Sequence, residues 1–436
     1  MIRLTSWNIA WFGQLLQGRT RTLPTQSRDV TDADGKALQA LQRRQIAEQI
    51  QRIDPDILCI QEGPSTGQVN RLESFCGNEL GGAWRVVTRP PRETYLISGA
   101  QGIFFLVRST RWDELQPRLL AQDRWIAATE AESRVDFAAD GTGEHGRTWP
   151  VVHPWFKPDR APVGVPEDAD FDGEGDPPPA DLSDRDHYHF RHPQVLVCTV
   201  NNRRVDFVGL HLKSKFSGAD YARAGALRRK ARITRREAAV IQAVEQAAVS
   251  ARIKISTEVI DVRYYIDHRF RNEPDPALFV LGDLNDGPGK EYFERRYLFH
   301  DLMAGLQGEV FFARRFLNHA LFDYSPREGE NHRWTVRFQD AWDPARPPEI
   351  LLDHIAFTQS VVGAQALART GLRVPAGAGR VEHEVHNAVN AVFAREADFT
   401  SDHRPVTVDI ETAAPPRCGA ASPVAEAAAP TCGGAR

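Results

Sequence analysis

Several apolar segments of this chain run directly into side chains of the kinds that move protons or hold metals. The plainest is Phe279-Val280-Leu281-Gly282-Asp283-Leu284-Asn285-Asp286-Gly287-Pro288. Its apolar half, from Ala277 to Leu281, reads as a buried strand. Gly282 permits a sharp bend or a close approach of backbone. Asp283 and Asn285 flank Leu284, so on an extended backbone they share one face. A carboxylate and an amide at the mouth of a sheet are costly to hold unless they bind something. A second apolar run, Ile57 to Ile60, ends in Gln61-Glu62-Gly63, and a third, Val205 to Leu212, carries His211 near its end, followed by Lys213-Ser214-Lys215. An Asp353-His354 pair interrupts the run from Ile350 to Phe357, and Ser401-Asp402-His403 stands just before the last apolar run. A single ending of this sort is an ordinary turn. Its repetition along one chain is a pattern.

The elements that must position these groups follow from periodicity. Residues 2–12 read as a strand with Asn8 towards its end; a buried amide there needs partners. Residues 14–35 are polar and turn-rich, hence a loop. Helical spacing of Leu38, Leu41, Ile46, Ile50 and Ile53 predicts a helix over 36–53, stopped by Asp54-Pro55. A short helix is expected over 66–80, then strands at 84–87 and 102–107, the latter closed by a solvated Arg108. Residues 194–200 and 204–212 form a hairpin across Asn201-Asn202. A long helix with Arg223, Arg228, Arg229, Arg232, Arg235 and Arg236 on a solvated face covers 219–249, and helical character continues over 252–270. A helix at 290–297 and a strand at 334–338 complete the reading.

Between about 130 and 193 the pattern breaks, and 157–186 is too rich in Pro, Gly and Asp to make core. This is an insertion, with Val151, Trp155 and Phe156 as anchors. Its alternating acids lack the register and closing glutamate of a calcium loop. Residues 413–436 are an Ala/Pro-rich disordered tail, leaving one domain over 1–412. The 436 residues are 42% hydrophobic, enough for a core, with a formal net charge of −4. Polyanion binding must therefore come from a local patch. Five scattered cysteines make neither a disulfide framework nor a C-x-x-C site, and Cys59 and Cys198 read as buried thiols. No apolar run approaches the ~20 residues of a membrane span. The chain enters a strand at once with no signal-type segment, so a cytoplasmic location is expected.

Taken in order, Asn8 in Ser-Trp-Asn, Glu62 in Ile-Gln-Glu, His211 in Gly-Leu-His-Leu, Asp283 and Asn285 in Gly-Asp-Leu-Asn, Asp353 in Leu-Asp-His, and Asp402-His403 in Ser-Asp-His resemble the endonuclease/exonuclease/phosphatase superfamily. That superfamily includes DNase I, exonuclease III-type AP endonucleases, sphingomyelinases and inositol-polyphosphate phosphatases. The resemblance spans residues 2–410. It implies a four-layer α/β sandwich, two mostly antiparallel sheets face to face with helices outside, and a site at one rim. It also implies a divalent-metal-dependent phosphodiesterase, most simply a nuclease with DNA or RNA as substrate. Oxygen ligands suit Mg2+ or Mn2+ rather than zinc. In that reading Glu62 is the main metal ligand with Asn8 beside it, and Asp402 is a further ligand. His403, oriented by Asp353, polarises the phosphate, Asp283 activates water, Asn285 steadies the transition state, and His211 acts on the leaving-group side. Lys213 and Lys215 would attract phosphate.

Some positions depart from particular branches. Ala10 stands where AP endonucleases carry an acid. The Asn-Tyr-Arg and Trp-Cys-Asp-Arg hallmarks of inositol-polyphosphate phosphatases are absent. The Gly209–Lys215 segment and Leu-Asp-His look more like bacterial nuclease-type members. The alternative is a phosphomonoesterase, or a lipid or small-molecule phosphodiesterase of sphingomyelinase-like or inositol-phosphatase-like kind; no amphipathic segment argues for a membrane surface. A non-catalytic binding module would need lost catalytic positions, and none of the main ones is lost.

Overall fold

The computed structural model describes residues 1–23, 25–89, 101–133, 148–151, 185–189, 191–215, 220–289, 291–297, 301–324 and 332–413. The acidic run expected in the insertion, its anchors Trp155 and Phe156, and the tail beyond residue 413 lie outside the described residues.

From the amino end, β1 (Ile2–Asn8) leads through α1 (Phe12–Leu16) and α2 (Ala33–Ile53) to β2 (Ile57–Gly63). Next come α3 (Val69–Asn78), β3 (Trp84–Val86), β4 (Gly102–Arg108), α4 (Trp112–Leu115), β5 (Arg118–Leu119) and α5 (Gln122–Ser133). A two-stranded ribbon, β6 (Thr148–Val151) with β7 (Arg185–Tyr188), precedes the hairpin β8 (Gln194–Val200) and β9 (Arg203–His211). Then follow α6 (Tyr221–Arg228), α7 (Arg235–Asn272), β10 (Ala277–Asp283), α8 (Tyr292–Tyr297), α9 (Leu302–Gln307) and β11 (Leu317–His319). A second ribbon, β12 (Val336–Arg337) with β13 (Glu349–Ile350), leads to β14 (Asp353–Thr358) and α10 (Ala366–Thr370). The chain ends in β15 (Leu372–Arg373), β16 (Gly379–Val381), α11 (His383–Asn390) and β17 (Val406–Thr412).

One sheet has the order β15-β17-β1-β2-β4-β3, with β16 also on β17; the other runs β11-β14-β10-β9-β8-β5. Each holds one parallel pair, β1 with β2 and β9 with β10, and is otherwise antiparallel. The sheets face each other across a core that includes Leu4, Cys59, Phe105, Phe207, Phe279 and Phe357. The first sheet's outer face packs on helices through Trp7, Phe12, Ile46 and Leu72, the second's through Val259, Ile266, Leu278 and Val280. This is the four-layer α/β sandwich expected from the sequence.

Period-two alternation then decides which side chains reach the space between the sheets. Ile2 and Leu4 face that core, so Asn8 comes out on the same face. Phe279 and Leu281 do the same for Asp283, Val205 and Phe207 for His211, and Ile355 and Phe357 for Asp353. Register aligns them at one rim, because Asp283 pairs with His211 on one side and with Asp353 on the other.

Several boundaries differ from the sequence reading. β1 stops at Asn8, because Trp11 turns into the left-handed region (φ 51°), and α1 begins at Phe12, the last residue of the expected strand, and runs into the expected loop. The arginine-rich helix is two helices: α6 ends at Arg228, and α7 starts afresh with a Thr234–Glu237 capping box and runs unbroken to Asn272. Its arginines are only partly a solvated face, since the Arg228 guanidinium sits 4.0 Å from the Tyr292 ring centre and 4.4 Å from that of Trp342. Arg108 is not simply solvated either; it pairs with Asp54 and lies 4.5 Å from the Trp84 ring centre.

Gly282 makes a very close backbone approach at the rim. Its φ is +142°, and a Cβ there would lie 1.9 Å from the Leu210 carbonyl oxygen. Gly282→Ala is expected to destabilise the protein by about 3 kcal/mol, read as a lowered unfolding midpoint in thermal denaturation followed by circular dichroism. An unchanged midpoint would show that the strands separate freely at this point.

Candidate active site

The side chains that emerge at the rim converge on one carboxylate. Asp283, 2% exposed, accepts the Asn8 Nδ2–H at 2.9 Å through Oδ2 and the Asn285 backbone N–H at 2.8 Å through Oδ1. The same Oδ2 lies 3.5 Å from His211 Nε2 and 4.0 Å from His403 Nε2. Asn8 comes from the first sheet and Asp283 from the second, so their hydrogen bond joins the two. Asn8 Nδ2 also faces Glu62 Oε1 at 3.4 Å.

Glu62 reaches the site by breaking the alternation of β2. Cys59 faces the inter-sheet core, so strict alternation would aim residue 62 away from it. The pairing with β4 slips between Ile60 and Gly63, and Glu62 adopts φ 61°. This irregularity turns the carboxylate inward, where Oε2 accepts the Trp11 N–H at 2.6 Å. Asn285 is also left-handed (φ 51°), and its Nδ2–H donates to the Leu212 carbonyl at 3.0 Å. Trp11, Glu62 and Asn285 are thus three positive-φ, non-glycine residues gathered around one site, each at some conformational cost.

The two histidines differ in charge. Burial alone would push His403 down. The Asp353 charge, the hydrogen bond from His403 Nδ1 to Asp353 Oδ2 at 2.7 Å, and the charges of Asp283 and Asp402 outweigh burial and hold the ring well above its ordinary range. Burial, with the charges of Arg191 and His403, pushes His211 well below that range, so it is neutral. Asp283 is raised to about 6, mainly by burial and partly by Asp353, against the attraction of His403.

Three polar atoms here are buried without a hydrogen-bond partner: Asn8 Oδ1, Asp353 Oδ1 and His211 Nδ1. Buried polar atoms are rarely left so unless something else satisfies them. The free oxygen of Asn8 belongs to the side chain whose Nδ2 faces Glu62, and an amide oxygen beside a carboxylate fits a hard divalent cation. Among the described residues no group of three His, Cys, Asp or Glu side chains is arranged to hold a metal by itself. Asp402 is exposed beside His403, with Oδ1 3.5 Å from the Ser401 hydroxyl.

Lys215, expected to attract phosphate, has its ammonium engaged by three carboxylates. It is 9% exposed and spends its charge on Asp286, Glu294 (2.5 Å) and Glu291 (3.5 Å). Lys213 is half-buried; its backbone N–H donates to Glu258 at 2.7 Å and its Nζ to the Ser214 carbonyl at 2.8 Å. His354 points to the opposite face from Asp353. Leu321 N–H donates to His319 Nδ1 at 3.1 Å, which makes Nε2 the protonated nitrogen and His354 Nδ1, at 3.0 Å, its acceptor. His354 Nε2–H then donates to the Asp286 carbonyl at 2.8 Å and fixes the loop after Asn285.

Sequence reasoning missed the residues that tie the rim together. Arg21 bonds the Ala10 carbonyl after Asn8 and the Phe399 and Thr400 carbonyls before His403. Arg191 donates to the His211 and Leu212 carbonyls at 3.2 and 2.8 Å and to Gln101 at 2.8 and 3.0 Å. The Ser401 hydroxyl donates to the Asn8 carbonyl at 2.7 Å and receives the Ala10 N–H at 3.1 Å. Arg21 and Arg191 sit in segments with no periodicity, and only the Ser-Asp-His motif pointed to Ser401.

The charge assignments are measurable. At pH 7, imidazole 15N NMR is expected to read His403 as imidazolium and His211 as neutral. Asp353→Asn should return His403 towards its ordinary titration range; a neutral His403 in the unmodified protein would remove the ion pair from the site.

Comparison with known proteins adds the family. The model described as Endonuclease/Exonuclease/phosphatase family matches residues 5–403. Among solved structures, the truncated TDP2 of Caenorhabditis elegans is 11% identical, covers 94% of this chain and 98% of its own, and superposes with a TM-score of 0.41. The human nocturnin catalytic domain, with bound sulfate, is 13% identical over 94% of this chain and 94% of its own, with a TM-score of 0.39. An endonuclease/exonuclease/phosphatase protein of Bacteroides vulgatus is 11% identical over 94% of this chain and 98% of its own, with a TM-score of 0.41. No curated protein matches the sequence.

Proposed function

This chain belongs to the endonuclease/exonuclease/phosphatase family, and we propose that it is a divalent-metal-dependent phosphodiesterase that hydrolyses nucleic acid. Members of this family are phosphoric ester hydrolases. The observation that carries the finer reading is the buried Asp283 carboxylate set between His403 and His211, 4.0 and 3.5 Å away.

Glu62 and the free oxygen of Asn8 would hold the cation, with Asp402 as a further ligand. Mg2+ or Mn2+ there supplies positive charge against the phosphoryl oxygens. Asp283 takes the proton from the attacking water. A carboxylate raised to about 6 is a better base than an ordinary one and is still ionised at neutral pH. His403, oriented through Nδ1 by Asp353, presents the other nitrogen to the phosphoryl group and offsets the charge that builds there. His211 hydrogen-bonds on the leaving-group side as a neutral ring. Asn285 steadies the transition state from the loop held by Leu212, and Lys213 adds phosphate attraction at the rim. Among the described residues no helix is long and apolar enough to cross a membrane.

The test is cleavage of supercoiled plasmid, linear duplex, single-stranded DNA and RNA with Mg2+ or Mn2+, with bis-p-nitrophenyl phosphate as a small ester. Cleavage should vanish with EDTA. Glu62→Ala, Asp283→Ala and His403→Ala should each lower turnover by about 10²–10⁴ with the circular-dichroism spectrum intact. Full activity in all three would sink the assignment. Metal-dependent hydrolysis of the small ester alone would keep the site and remove nucleic acid as its substrate.

The pH profile follows from Asp283. A base must be deprotonated to act, so kcat/KM should rise with pH through about 6 and level off above it. A profile that falls across that range would exclude Asp283 as the base.

A further inference from the structure

Immediately after His403 stands an arginine whose surroundings are unlike those of a structural ion pair. The Arg404 guanidinium lies 3.9 Å from the Trp334 ring centre. The same indole has His383 as a ring neighbour, centroids 4.7 Å apart. Thr335 links Arg404 to Asp353, the partner of His403. Its carbonyl accepts the Arg404 N–H at 2.9 Å, and its hydroxyl accepts the Asp353 N–H at 3.2 Å. The stack therefore begins one residue from His403 and is one hydrogen bond from Asp353.

Arg404 is half-buried, and its Nε is fully buried with no hydrogen-bond partner. Among the described residues no carboxylate comes within ion-pair distance of it. Asp402 and Glu396 attract it only from farther away. The strongest charge acting on it is a like one, Arg337, whose guanidinium is 5.9 Å from the same Trp334 ring. Arg337 has its own partner in Glu349 at 3.2 Å. Burial and the Arg337 charge together push the Arg404 guanidinium down to about 10. A guanidinium half out of water normally ends on a carboxylate. This one is held flat by an aromatic face and crowded by a second positive charge, and among the described residues its outer Nη groups make no hydrogen bond or ion pair. That is a preorganised fork for a tetrahedral anion.

We propose that Arg404, braced by Trp334 and assisted by Arg337, binds the phosphodiester group adjacent to the scissile one, so that the preferred substrate is a chain carrying at least two phosphates. The proposal rests on the phosphodiesterase reading of the same site and narrows its substrate class. The scissile phosphate is held against His403, and the neighbouring phosphate engages the residue next in sequence. A single-phosphate ester has nothing to place on Arg404.

The experiment compares kcat/KM for a dinucleotide with one phosphodiester against tri- and tetranucleotides with two and three, in the unmodified enzyme and in Arg404→Met and Arg404→Lys. Methionine keeps an aliphatic stem on Trp334 without the charge, and lysine keeps the charge without the fork; near-ultraviolet circular dichroism checks the Trp334 environment. The unmodified enzyme should prefer two phosphates over one by about tenfold or more. Arg404→Met should abolish most of that preference, and Arg404→Lys should retain an intermediate part. The salt dependence of log(kcat/KM) for the longer substrates should fall by about 0.7 per log unit of salt in Arg404→Met. Equal kcat/KM on one and two phosphates in the unmodified enzyme, or full preference retained in Arg404→Met with the fold intact, overturns the subsite alone. Absence of metal-dependent hydrolysis on every substrate, bis-p-nitrophenyl phosphate included, overturns the phosphodiesterase reading and the subsite with it.

Discussion

Holding a carboxylate out of water between two sheets is the constraint on which the rest of this molecule depends. Asp283 loses its hydration and is repaid by an amide from the opposite sheet, a backbone N–H two residues on, and two imidazoles. None of those partners is local except the Asn285 N–H. They arrive from residues 8, 211 and 403, so the sheets must close to within a hydrogen bond before the charge is tolerable. Within the second sheet, Gly282 permits the close pairing of β10 with β9, where a Cβ would meet the Leu210 carbonyl. Arg21 and Arg191 then fasten the loops that bring the partners, each by several bonds to backbone carbonyls.

Much of this was legible in the sequence because strands have period two. Once a core-facing parity is assigned to β1, β9, β10 and β14, the same parity delivers Asn8, His211, Asp283 and Asp353 to one space and sends His354 to the other face. Parity failed where the backbone departs from it. Glu62 reaches the site only through an irregularity and a positive φ, which no alternation rule anticipates. Lys215 follows His211 closely in sequence, yet its ion pairs lie with a later segment. After β9 ends the chain turns, and three acids from the segment after Asp283 claim the ammonium. Arg21, Arg191 and Thr335 carry no local signal, since their roles consist of contacts to segments tens to hundreds of residues away.

The two histidines show how position sets protonation. His403 has a carboxylate at 2.7 Å on one nitrogen and another at 4.0 Å from the second. His211 has an orphaned nitrogen and a buried arginine in its field. The same side chain therefore serves as a cation on one side of Asp283 and as a neutral ring on the other.

The pairing of β1 with β17 joins Ile2 to Ile410 and Ser6 to Val406. β1 thus pairs with a strand about 400 residues further on, and His403 stands just before that strand. A partly made chain presents β1 as an open edge and lacks one of the charges around Asp283. Long-range closure of this kind is slow relative to local folding and leaves the early strands exposed to mispairing. The surroundings of Asp283 are therefore completed only when the segment around His403 joins the segment around Asn8, 395 residues earlier in the numbering.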